Sequence, residues 1–314
     1  MSTIAILHAT DLVGKELRQA LEARMKEWRE VRLLSTDPEE VGTLTEVLGA
    51  AALVSPYEPD SLKDVSTVFF CGPIEKNRPL FGDVPAGAVT VVVSPDATPE
   101  DGLPVVAGVN ADGMRSDVRL LSPHPAVVLL AHVLHALRPF QPVDAVATLV
   151  QPASVQGDAG IQELFEQTRA IVAMTGQGAM PVYGKQLAFN LLPTASDALQ
   201  LGAMLKTVVP ETPPIPLQIV QGGVFHGLTA SLYLRFGVSP TPQALRKALK
   251  GNPYLEIASD PAHLGPIDSA TTDKILVGNI RQDAAGGFWF WVVMDNLTRG
   301  TALNAVEVAE AVGG

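Results

Sequence analysis

The stretch Leu121-Ser122-Pro123-His124-Pro125-Ala126 holds the residues nearest to chemistry in this 314-residue chain. It follows a predicted strand (Arg119, Leu120) and opens a long apolar helix, Val127 to Leu137. A nucleophile at such a helix start gains from the helix dipole and the free N–H groups, which favour a thiolate or an oxyanion. The position offers two prolines, a serine and a histidine instead. Ser122 and His124 are the groups there that could attack or move a proton. The single cysteine, Cys71, ends the apolar run Val68-Phe69-Phe70. Such a thiol is either buried and inert or, in an open electropositive setting, reactive. His226, within Gln221-Gly222-Gly223-Val224-Phe225-His226-Gly227-Leu228-Thr229, reads as a general base near neutral pH or as an ordinary strand histidine. His132 and His135 lie three apart on the apolar helix without a third ligand, so no metal site is expected.

The elements that must position these groups are legible from the apolar pattern. Thr3 to Leu7 reads as a buried strand, Gly14 to Trp28 as an amphipathic helix and Glu30 to Ser35 as the next strand. That β-α-β unit opens a dinucleotide-binding type of sheet. Apolar runs at Thr67 to Phe70, Val89 to Val93, Leu103 to Ala107 and Val118 to Leu121 extend it. Continuous rather than alternating apolar character predicts parallel strands covered on both faces. Arg138-Pro139-Phe140-Gln141-Pro142 reads as a linker, and the texture then changes. Strands are predicted at Val143 to Val150, Ile219 to Phe225 and Thr229 to Phe236. Ile161 to Met174 is predicted as a helix with Glu163, Glu166 and Arg169 on its polar face. Further helices are expected at Ser196 to Val209, at Gln243 to Leu249 behind Pro240-Thr241-Pro242, and at Ala302 to Val312. Leu276 to Arg281 and Phe288 to Met294 read as a hairpin around Ala284-Ala285-Gly286-Gly287. This second region is a mixed sheet with helices on one face, an α+β arrangement.

Composition narrows the function classes. The net charge of -11 and the absence of a Lys/Arg run exclude a nucleic-acid partner. No apolar window reaches the ~18 residues of a membrane span. No basic, cleavable leader is evident, and one cysteine suits a reducing compartment, so a cytoplasmic location is expected.

His8-Ala9-Thr10-Asp11-Leu12-Val13-Gly14 occupies the place of a glycine-rich phosphate loop, and only Gly14 remains of the glycines. Asp11 would set a negative charge beside two phosphates. The loop reads either as an altered cofactor site, with Gly14 and Thr10 left to bind, or as a plain strand–helix turn capped by Asp11. After the second strand, Asp37, Glu39 and Glu40 would repel a 2'-phosphate by ~1 kcal/mol or more each. Asp37 could alternatively hold a ribose hydroxyl, as in NAD sites.

Taken together, these stretches resemble the aspartate-semialdehyde dehydrogenase family from end to end. Asp295-Asn296-Leu297-Thr298-Arg299-Gly300-Thr301-Ala302-Leu303-Asn304-Ala305-Val306 is close to the family's D-N-L-x-K-G-A-A-x-N-A-V. Gln186-Leu187-Ala188-Phe189-Asn190-Leu191-Leu192-Pro193 resembles Q-I-A-F-N-V-I-P. Gly160-Ile161-Gln162-Glu163-Leu164 through Gln167-Thr168 resembles G-I-x-E-L…Q-T, and Val277-Gly278-Asn279-Ile280-Arg281 resembles V-G-R-I-R. The resemblance implies an α/β fold with a Rossmann-like domain over 1–126, completed by the C-terminal helix 300–314. An α+β dimerisation domain of the aspartate-semialdehyde/glyceraldehyde-phosphate dehydrogenase type would span 127–299. It also implies NADP-dependent chemistry on a cysteine thiolate, with a histidine as acid/base and inorganic phosphate releasing the acyl group.

Residue by residue, the chain departs from that chemistry. Pro125 aligns with the nucleophilic cysteine, Leu228 with the histidine and Gln221 with the substrate-carboxylate arginine. His226 falls two positions short. Ala203 and Gly108 stand at two of the family's glutamates, and Ser94-Pro95-Asp96 replaces its N-S-S with no arginine after it. Gln151 is retained, and Lys206 matches the lysine of E-x-x-K. The departures fit the family's divergent Usg-like branch. The expectation is therefore a pseudoenzyme without catalytic residues, keeping a vestigial cleft of Gln151, Lys206, His124 and His226. No cofactor is expected, NADP or NAD binding only if the ancestral site survives. The partner would be a second copy, through a sheet carrying Phe288 to Val293, or an active family member. Two alternatives stand: an oxidoreductase with a relocated nucleophile (Cys71 or Ser122, with His124 and His226), and a ligand sensor without turnover.

Overall fold

In the computed structural model, residues 2–24, 28–176, 178–194 and 198–313 are described. The chain forms two compact units, Met1–His124 with Thr301–Gly314, and Pro125–Gly300.

The first unit contains β1 (Ser2–Leu7), α1 (Leu12–Arg24), β2 (Trp28–Ser35), β3 (Leu44–Val47), β4 (Ala50–Leu53), β5 (Ser55–Pro56), β6 (Thr67–Phe70), α2 (Ile74–Asn77), β7 (Val89–Val92), β8 (Leu103–Pro104) and β9 (Arg119–Leu121). Its main sheet runs β5-β2-β1-β6-β7-β9-β8, and each neighbouring pair is parallel. The strands are apolar throughout because both faces are covered. Ile4, Ile6, Phe69 and Val91 face one core with Leu17 and Leu21 of α1 and Val306 and Ala309 of the chain's last helix. Ala5, Leu7, Val68 and Phe70 face the other with Leu62 and Leu80. β3 and β4 form a separate hairpin. The first helix ends sooner than expected: Trp28 opens β2, and 25–27 lie outside the described residues.

The second unit contains α3 (Pro125–Leu137), β10 (Pro142–Gln151), α4 (Gly157–Val172), β11 (Leu191–Thr194), α5 (Ala198–Val208), β12 (Leu217–Gly222), β13 (Leu228–Phe236), α6 (Pro242–Lys250), β14 (Leu255–Ile257), β15 (Ile275–Gln282) and β16 (Phe288–Met294). A turn of π-helix, Thr298–Leu303, then leads into α7 (Asn304–Gly313) of the first unit. The sheet is mixed, in the order β11-β12-β10-β13-β16-β15-β14. α3, α5 and α6 pack on it, and α5 and α6 both pack on α3, so α3 is apolar nearly all round. In β10, Ala145, Ala147, Leu149 and Gln151 are buried while Asp144, Val146, Thr148 and Val150 are partly or fully exposed. That alternation marks one covered face and one open face. The hairpin β15–β16 forms as expected.

Several expectations are corrected. Arg138 to Pro142 is no linker between units but a turn joining α3 to β10, with Gln141 left-handed at φ 54°. Glu163 is not on a polar face; it is buried. β12 stops at Gly222, so His226 lies in a connection rather than on a strand. The expected helix start at Ser196 lies outside the described residues, and the helix is seen from Ala198.

Candidate functional site

In an open parallel sheet, ligands meet the carboxyl ends of the strands. In the first unit β1 runs into His8-Ala9-Thr10-Asp11 and then α1. Counted back from Gly14, Ala9 and Asp11 stand where a G-x-G-x-x-G fingerprint has its first two glycines. Gly14 keeps the third glycine's packing role, since a Cβ there would lie 2.6 Å from the Ala9 backbone. Thr10 is half-buried in the same turn. Asp11 caps the helix: its Oδ1 accepts the Gly14 N–H at 2.6 Å, and its Oδ2 accepts the Gly72 N–H at 3.1 Å. The second bond ties the turn after β1 to the turn after β6.

His8 is buried with a left-handed backbone, φ 54°. Its Nδ1 lies 3.2 Å from Ser35 Oγ and 3.4 Å from the Glu40 carboxylate, and its Nε2 lies 3.3 Å from Thr36 Oγ1. Burial lowers its pKa against the upward pull of Glu40. After β2, Asp37 accepts a hydrogen bond from the Lys76 ammonium at 2.6 Å. That ammonium holds the Asp37 carboxyl below its usual range. The side chain that could have held a ribose hydroxyl is therefore engaged within the protein.

Neither candidate substitute nucleophile is in a reactive setting. Cys71 is buried, and burial, then the nearby carboxylates of Asp11 and Glu40, push its thiol well above the ordinary range. Ser122 is buried, and its Oγ accepts a hydrogen bond from Asn304 Nδ2 at 2.9 Å. Ser94 Oγ accepts from Asn77 Nδ2 at 2.9 Å, and Asp96 accepts the Ile74 N–H at 3.0 Å. His124 is half-buried at the unit's end.

In the second unit Pro125 is the first residue of α3, where its missing N–H costs nothing. Its ring packs on the chain at Gly300, where an added Cβ would lie 2.8 Å away. Gln151 and Gln221 pair in register near the ends of neighbouring parallel strands, both buried. Gln221 Nε2 donates to the Gln151 carbonyl at 3.0 Å. Leu228 opens β13 and is fully buried. His226 is exposed where the chain turns past Pro266, with Gly227 at φ 90°. Lys206 is exposed on α5, and its ammonium donates to the carbonyls of Pro210 and Thr212 just beyond the helix end. Gln151 and Gln221 thus come together, while His226 and Lys206 point to the surface. His132 is fully buried and stacked on Tyr254, ring centroids 4.4 Å apart. Among the described residues no group of three His, Cys, Asp or Glu side chains could hold a metal. Among them, too, no helix is long and apolar enough to cross a membrane.

Sequence reasoning missed the polar residues that clamp backbone. Buried Glu163 accepts the N–H groups of Val182 and Tyr183 and the Gln167 side-chain amide. Gln167 Oε1 accepts the N–H groups of Leu187 and Ala188, at 2.6 and 3.0 Å. Asn296 donates to Ser154 Oγ at 3.0 Å and accepts the Gly227 N–H at 3.2 Å. Asn304 accepts the Ala107 N–H at 3.0 Å and donates to the Val105 carbonyl. All four lie in the motif stretches, and the available signal was a polar residue set among apolar ones.

Residues 134–299 match the family described as semialdehyde dehydrogenase, dimerisation domain. A USG-1 protein homolog of Azotobacter vinelandii is 30% identical, over 98% of this chain and 96% of its own. Aspartate-semialdehyde dehydrogenase of Bacillus subtilis is 27% identical over the same shares, 98% and 96%. The structure of a probable aspartate-semialdehyde dehydrogenase from Pseudomonas aeruginosa superposes with a TM-score of 0.90 at 23% identity, covering 98% of this chain and 97% of that one. That likeness is one of fold.

Proposed function

The chain belongs to the semialdehyde dehydrogenase family, and from that membership we propose that it is a catalytically silent member acting as a dimeric binding or assembly partner. The observation that carries the reading is Pro125 at the first position of α3, where the resemblance sets the nucleophilic cysteine. Proline has no group that can attack an aldehyde. Leu228 and Gln221 stand where the acid/base and the carboxylate anchor would be, and both are buried, Gln221 bonded to backbone. Losses that act on one step do not rescue one another. The settings of Cys71 and Ser122 argue against a relocated nucleophile.

The residues of the first unit do not fit NADP. At the start of α1, where a pyrophosphate would sit, the Asp11 carboxylate already engages the N–H groups of Gly14 and Gly72. Asp37, Glu39 and Glu40 follow β2, where a 2'-phosphate needs a cation, and Lys76 nearby is paired with Asp37.

Pairing would use the open face of the second unit's sheet. There the rings of Tyr233 and Trp289 meet at a tilt, centroids 5.0 Å apart, beside exposed Val146. The aromatic strand splits between faces: Phe288, Phe290 and Val292 are buried, and Trp289 and Trp291 are half-buried on the other side.

The test is absorbance at the reduced-nicotinamide band with aspartate semialdehyde, phosphate and NADP or NAD, beside a genuine dehydrogenase, together with the mass in solution. No rate above buffer and a two-chain mass are expected. A rate near the genuine enzyme's, or a monomer at micromolar concentration, would overturn the corresponding half of the proposal.

A further inference from the structure

We infer that Asp11 is an internal anion: its carboxylate takes the place of a ligand pyrophosphate at the start of α1 and excludes dinucleotides from the first unit. This rests on the reading that the protein uses no NADP, and it names the residue responsible.

The argument starts from what a fingerprint's second glycine is for. A missing side chain lets the backbone approach the pyrophosphate, whose charge then meets free N–H groups at the helix start. Asp11 stands at that position, counted back from Gly14. It fills the space that the glycine would leave open, and it supplies the negative charge itself. Its two oxygens accept N–H groups from two separate turns, Gly14 at the start of α1 and Gly72 after β6. A cap alone needs only the first bond.

The neighbouring features of the loop still suit a dinucleotide fold. Gly14 keeps its close approach to Ala9. His8 holds the left-handed backbone that glycine adopts without strain, and Gly72, at φ 70°, leaves room for the His8 Cβ, which would lie 2.7 Å from any Cβ there. The turn has kept its path, and Asp11 holds it without a ligand.

Asp11→Gly restores the missing glycine, and Asp11→Ser keeps a helix cap while removing the charge and the reach to Gly72. Wild type and both variants would be titrated with inorganic pyrophosphate and NAD, read by melting temperature and by calorimetry. The wild type should bind neither at millimolar concentration. Asp11→Gly should melt lower than wild type, recover stability with pyrophosphate, and bind it about tenfold or more tightly than wild type does. Asp11→Ser should show the same gain in smaller measure. Wild-type binding as tight as the variant's would overturn the inference and, with it, the reading that no dinucleotide is used. Folded variants that bind neither probe would overturn the inference alone and leave the silent-enzyme reading standing. If neither variant folds, recovery by pyrophosphate supports the inference. Failure to recover makes Asp11 purely structural and overturns it.

Discussion

At Pro125 a proline supplies what a helix start favours in its first residue, a preset φ and no orphan N–H. The position serves the fold without a nucleophile. On the proposed reading, Pro125→Cys is expected to leave dehydrogenase activity at buffer level, because the resemblance sets buried Leu228, backbone-bonded Gln221 and the helix-capping Asp11 at other positions of the reaction. Activity within about a thousandfold of a genuine enzyme would refute this. His132 is a second residue defined by its surroundings. Among the described residues its ring nitrogens find no hydrogen-bond partner, and burial, with Arg299 and His135 adding to it, pushes its pKa down to about 3 from an ordinary 6.5. The unfolded chain binds the proton first. Stability is therefore full above about pH 6.5 and falls as pH drops toward 3, by up to ~1.4 kcal/mol per unit. His8 and His135 are lowered too and act in the same direction. His132→Phe keeps a ring on Tyr254 and removes the titration. Its melting temperature should fall less steeply than wild type's between about pH 6 and 4, and an unchanged slope would count against the assignment.

Among the elements, α4 shows how a motif can be structural. Glu163 and Gln167 sit one turn apart on its inner face and satisfy backbone N–H groups of the segment from Val182 to Ala188. A buried carboxylate is tolerable there because its oxygens are met by donors. Glu163→Ala should cost about 2–4 kcal/mol in denaturant unfolding, since it leaves several donors unpaired. Glu163→Gln, which keeps one acceptor, should cost distinctly less, and equal costs would show that lost packing rather than lost hydrogen bonding is at work. The helix was legible as a helix from its amphipathic spacing. Its inner face was misread because glutamate is almost never fully buried unless paired, and the pairing is with a segment some twenty residues on.

On the scale of the whole molecule, each unit keeps its own core, and the second keeps an open sheet face. Trp289→Glu places a charge on that face beside Tyr233 while leaving the covered face untouched. It should shift a dimer toward monomer in sedimentation at micromolar concentration with little change in far-UV circular dichroism; an unchanged mass would move the proposed pairing surface elsewhere. The sequence by itself determined the architecture, because strand burial is written in local apolar pattern. Continuous runs such as Val68-Phe69-Phe70 mark a doubly covered parallel sheet, and alternation along Thr229 to Phe236 marks a half-covered one. It also determined which side chains can carry no nucleophile or proton, since a proline or leucine lacks that chemistry wherever it lies. Tertiary structure decided what the remaining polar groups do. Asp11 reads locally as a helix cap, and only folding brings it the Gly72 N–H from 61 residues away. His226 reads as a strand residue, but β12 stops at Gly222 and the chain turns at Gly227, φ 90°, against Pro266. Hydrogen-bond partners distant in sequence leave no trace in local periodicity, so the fates of Asp11, Glu163 and His226 were set by the fold.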